Sequence, residues 1–135
     1  MILADADGTA IAVREQARAV LAAGPPPLQP AELDRRRYGL SDLLDDLAGS
    51  SDAGERAVIC WSVLCETAEL ALLVDGCRLG SGKWLLRELR AAEPRLAGEL
   101  IEARDDPARL ASLADSVLAR AGGRLWAGYR EVGTL

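Results

Sequence analysis

From Ala57 to Val74 the chain reads AVICWSVLCETAELALLV, broken by charge only at Glu66 and Glu69. Just ahead, Asp52 and Glu55 have the spacing of a capping box, with Asp in place of Ser or Thr. A helix is therefore predicted from Gly54 to about Asp75. It carries apolar residues on nearly every face, so several neighbours must cover it, and it is expected to be central and mostly buried. The two glutamates argue against a membrane span. The remaining apolar residues are mostly Ala, Leu and Val, with no Phe and only 4% aromatic residues, a supply that suits close-packed helices better than sheets.

Proline and glycine divide the rest. Asp5, Asp7 and Gly8 are turn formers, and Thr9 can cap a helix to about Ala23 with Ala10, Val13, Ala17 and Val20 at helical spacing. Gly24 and the stiff run Pro25–Pro26–Pro27 end it. Pro30 and Glu32 open a second helix to about Ala48, with Leu33, Leu40, Leu44 and Leu47 as its apolar stripe and Arg35, Asp42, Asp45 and Asp46 on the other faces. After the central helix, KWLLRELRAA forms a fourth. Pro94 restarts or kinks the chain, and RLAGELIEA continues it. Asp106–Pro107 caps the last long helix, which runs to about Ala121 with Leu110, Leu113, Ala114, Val117 and Leu118 inward. The tail RLWAGYREV reads as a short docking helix through Leu125, Tyr129 and Val132. The expectation is a single all-α domain over residues 1–135, an antiparallel up-and-down bundle of five or six helices. At 135 residues it should bury roughly two thirds of its unfolded surface.

Composition narrows the chemistry. The chain has no histidine, which removes Ser-His-Asp and Cys-His nucleophile systems and histidine acid–base catalysis. Cys60, Cys65 and Cys77 have no C-x-x-C spacing and read as buried thiols of a reducing, cytoplasmic compartment. Met1 to Gly8 has no signal-peptide pattern. A net charge of −5 gives no overall attraction for nucleic acid, and no direct nucleic-acid binding is expected. Asp42, Asp45 and Asp46 read as a solvated face, not a metal site, and no cofactor is called for.

The segment GCRLGSGKWLLRELR, residues 76–90, invites comparison with a phosphate-binding loop. It fails that comparison. Five positions before Gly82 stands Cys77, Trp84 follows Lys83 where a hydroxyl is required, and a helix precedes the segment. The glycines read as a junction: Gly76 stops one helix in the left-handed region, Gly80 and Gly82 let the chain turn, and Ser81 caps the next helix. Two polar stripes stand out. Lys83, Arg87 and Arg90 recur at i, i+4 and i+7, with Arg78 upstream, and suit an anion or a solvated face paired with acids such as Glu88. Ser62, Glu66 and Glu69 form the polar stripe of the central helix, which leads directly to the basic one. Glu66, Glu69, Lys83, Arg87 and Arg90 are therefore the candidate substrate-binding residues, on the expectation that the two stripes converge at one bundle end.

RRRYGLSDLLDDL, the apolar helix, GCRLGSGKWLLRELR and AGGRLWAGYR together resemble the C-terminal, HEPN-like helical domain of small bacterial nucleotidyltransferases of the kanamycin nucleotidyltransferase type. The resemblance runs from about Ala10 to Arg130, and GKWLLR is its most specific part. It implies a helical domain that forms part of an acceptor pocket beside a separate catalytic domain and often mediates dimers. MILADADGT would then be a remnant of that domain's last strand and linker. The histidine of the HEPN ribonuclease motif is missing, and Glu66 or Glu69 would fill the place of a general-base carboxylate. The expected role is a non-catalytic helper that positions an acceptor and an anionic nucleotide for a catalytic domain encoded separately or absent from this chain. The alternative is a homodimeric helical interaction module, a relic or antitoxin-like partner.

Overall fold

A computed structural model describes residues 29–126. The predicted helix from Thr9 to Ala23, the triple proline, the first nine residues, Tyr129 and Val132 lie outside them. Five helices and no strand occur among the described residues: α1 (Pro30–Gly49), α2 (Ala53–Val74), α3 (Lys83–Ala92), α4 (Pro94–Glu102) and α5 (Pro107–Ala121). The protein is an all-α bundle.

Local chemistry sets most boundaries. Asp52 accepts from the Glu55 amide and Asp106 from the Arg109 amide, so both predicted caps form. Pro94 starts a new helix, because Glu93 at φ −142° breaks the turn before it. At the end of α2 the Gly76 amide bonds to Leu73 O and the Cys77 amide to Leu72 O. This is a Schellman stop, and it needs the φ of +73° that Gly76 supplies. Ser81 does not cap α3: the N-cap is Gly82, without a side-chain bond, and Ser81 contributes only its carbonyl, to the Trp84 amide. Gly122 and Gly123 both take positive φ and stop α5. Of the predicted tail helix only Arg124 to Trp126 are described, and these are not helical.

Leu40, Leu44 and Leu47 of α1 and Leu110, Leu113, Ala114, Val117 and Leu118 of α5 are buried, as their spacing predicts. Helix α2 packs against α1, α3 and α5. It has 22 residues and a mean hydropathy of 1.8 over its most apolar stretch, enough by length and composition to cross a membrane, and here three helices cover it in part. It is central, but less buried than predicted: Val58 is 68% and Trp61 65% exposed.

Helix directions follow from the polar contacts. Arg36 meets Glu69 and Gly39 faces Glu66, so α1 runs against α2. Arg120, in the last turn of α5, bonds both to Asp75 at the end of α2 and to Glu93 at the end of α3. The C-terminal ends of α2, α3 and α5 therefore meet at one cation, which is favoured where helix carbonyls converge. These three helices run one way, and α1 and α4 run against them. Between α2 and α3 the chain must travel back along the bundle, and the glycine junction carries this return. At Gly80 a Cβ would lie 2.7 Å from the Trp84 carbonyl carbon, so glycine alone fits there.

Candidate functional site

The two polar stripes occupy different sides of α2. Trp61, Leu64, Cys65 and Ala68 recur at i, i+3, i+4 and i+7 and face α3, whereas Ser62, Glu66 and Glu69 lie around the helix toward α1. Arg36 Nη1 donates to Glu69 Oε2 at 2.7 Å. Glu66 is half-buried against Gly39, where a Cβ would come within 3.3 Å of its Oε1. Burial pushes the Glu66 carboxyl up, the Glu69 charge adds to this, and Arg36 opposes it. The expected convergence of these carboxylates with the basic stripe gives way to pairing with α1. The reason is a matter of angle: α3 docks on a neighbouring face of α2.

The basic stripe keeps its helical spacing. Lys83, Arg87 and Arg90 are all exposed along α3. The Arg87 guanidinium lies over the Trp84 ring, 4.8 Å from its centroid, and this is its only partner among the described residues. Lys83 and Arg90 have none there, and the expected pairing with Glu88 does not form. Every other basic side chain among the described residues has an interaction partner.

Beside this stripe lies an open groove of about 470 Å³ between α2, α3 and α4. Leu64, Leu85, Leu89 and Leu100, each at least nine-tenths buried, form its floor. Trp61, Leu86 and Ile101 line its walls, and Lys83 is its one charged lining residue. Trp84 stands on the outer side of α3, 53% exposed. The sequence reading missed this groove. The signal present in the sequence is Trp61 in register with Leu64 and Ala68, a pattern that core packing explains equally well. Cys65 also lines the groove and is half-buried, as is Cys77; of the three free thiols only Cys60 is fully buried. Burial pushes the Cys65 thiol up, helped by Glu69 and Glu66, so it is a weak nucleophile. No group of three or more acidic or thiol side chains among the described residues is gathered as a metal site.

Fold and site together define a helical bundle with an apolar, cation-edged groove. No protein family, curated protein or solved structure matches this chain.

Proposed function

We propose that this chain is a non-catalytic helical interaction module that works through the α2–α3–α4 groove and its basic edge. The observation that carries this reading is the run of Lys83, Arg87 and Arg90, unpaired with any acid among the described residues, beside an apolar groove walled by exposed Trp61, with Trp84 exposed on the outer side of the same helix. Tryptophan and arginine are the residues that anchor protein contacts, and grouped exposed apolar side chains mark contact surfaces. The non-catalytic part rests on the missing histidine and on the engagement of Glu69 by Arg36.

The nucleotidyltransferase-helper reading draws on the same three cations, which suit a phosphate. Against it, Glu69, one of the two carboxylates expected to orient an acceptor, is held by Arg36.

A photoreactive residue at position 86, with position 42 on α1 as control, tests the proposal in cells producing the natural protein. Adducts of defined mass from position 86 alone are expected. An adduct of twice the chain mass would identify a homodimer, and no adducts, or equal adducts from both positions, would overturn the reading. Calorimetry with magnesium nucleotides separates the helper: binding abolished by Lys83→Ala with Arg87→Ala would favour it.

A further inference from the structure

Building on the interaction-module reading, we infer that the groove receives an amphipathic helix with an acidic flank. Its apolar stripe lies over Leu64, Leu86, Leu89 and Ile101, and its carboxylates meet Lys83, Arg87 and Arg90.

Charge complementarity selects this occupant. A chain of net charge −5 has acids to spare, yet these three cations pair with none of those described, while arginines elsewhere are tied to Asp or Glu. All three side chains are exposed, so their charge looks outward. Its spacing then separates a helix from a small amphiphile. From Lys83 to Arg90 the charges span two turns of α3, on the order of 10 Å of rise. A single-headed lipid or fatty acid satisfies one such cation. A helix bearing Asp or Glu at i, i+4 and i+7 satisfies all three, and its apolar residues at the neighbouring positions fall into the groove. A symmetric contact with a second copy through the same face would bring like charges together, which opposes that pairing.

The test uses the full chain and two synthetic helices of about five turns, identical in their leucine stripe, one flanked by glutamate and the other by lysine. Calorimetry at about 50 mM and about 500 mM salt reads affinity and its screening. The acidic helix is expected to bind at least tenfold more tightly than the basic one, with the difference shrinking at high salt. In the variant Lys83→Glu, Arg87→Glu, Arg90→Glu the preference should reverse. All three side chains are exposed, and an unchanged circular dichroism melt confirms that the variant folds. Equal binding of both helices, or dodecanoate binding more tightly than either, overturns the acidic-helix inference and leaves the groove as a contact surface. So does a dimer that blocks both helices and is broken by Leu86→Asp. Failure of both helices, dodecanoate and an apolar dye to bind overturns the groove reading as well.

Discussion

Arg36 reaches across from α1 to α2 and donates to Glu69 at 2.7 Å, with both side chains only about a quarter exposed (28% and 27%). This bond gives the most polar stripe of the central helix a structural job. It also leaves the cations of α3 without their expected intramolecular counterpart. Removing either partner should cost about 1 kcal/mol, since a charge-assisted bond at this depth is screened but not fully solvated. In urea unfolding, Arg36→Ala and Glu69→Ala should each lower stability, and the double variant should lose less than the sum. Exact additivity would mean that the pair is not coupled.

Glu66→Gln should stabilise the protein at neutral pH. Burial, and then the Glu69 charge, raise the folded-state pKa of Glu66 above its unfolded value, so the native state binds the proton more tightly. Stability gained from this group appears as pH falls through the folded value and is absent above it. The advantage of glutamine should therefore be full at pH ~7 and vanish below the usual glutamate pKa of about 4.3. Melting temperatures of the two proteins across this range check the sign.

Arg120→Met should separate the ends of α2, α3 and α5. The cation holds Asp75 at 2.7 Å and Glu93 at 3.0 Å. The hydrogen bond that the Asp75 carboxyl donates to the neighbouring Glu93 side chain pushes Asp75 up, while burial's upward pull on Glu93 is outweighed by the bonds it accepts from Arg120 and Asp75, which hold it low. Without the arginine the two carboxylates face each other uncompensated, at a cost of about 1–2 kcal/mol. The loss should be greatest near neutral pH and shrink in acid, where both groups take up protons. A loss independent of pH would point to packing alone.

Thr67→Val should raise stability by about 1 kcal/mol. The Thr67 side chain is fully buried and its hydroxyl has no partner, so a methyl of the same shape removes a desolvation cost without opening a cavity. A lower unfolding midpoint in the valine variant would show that the hydroxyl is satisfied in solution.

Ser41→Ala should loosen the segment after α5. The buried Ser41 hydroxyl donates to Arg37 O at 2.7 Å and accepts from the Leu125 amide at 3.0 Å, and Arg37 also donates to Gly123 O. Loss of the acceptor orphans the Leu125 N–H, costing about 1–2 kcal/mol. Hydrogen exchange at Leu125 should quicken well beyond that in α2; equal protection in both proteins would refute the tie.

Periodicity, proline and capping residues alone were enough to mark every described helical stretch, with only the choice between a restart and a kink at Pro94 left to the structure, because these signals act within a few residues. Leu40, Leu44 and Leu47, the Asp52 and Asp106 caps and the Gly76 stop could all be read before any packing was known. The same local reading placed Lys83, Arg87 and Arg90 on one face of one helix. What spacing along a chain does not carry is the rotation and direction of one helix relative to another. Only tertiary packing turned Glu66 and Glu69 toward α1, ran α3 parallel to α2, and left Trp61 at a groove wall instead of in the core. Hydrophobic burial is nearly indifferent to which apolar stripe of α2 meets which neighbour, so that choice fell to the glycine return and to the few polar bonds, Arg36 to Glu69 and Arg120 to Asp75 and Glu93, that fix each helix in place.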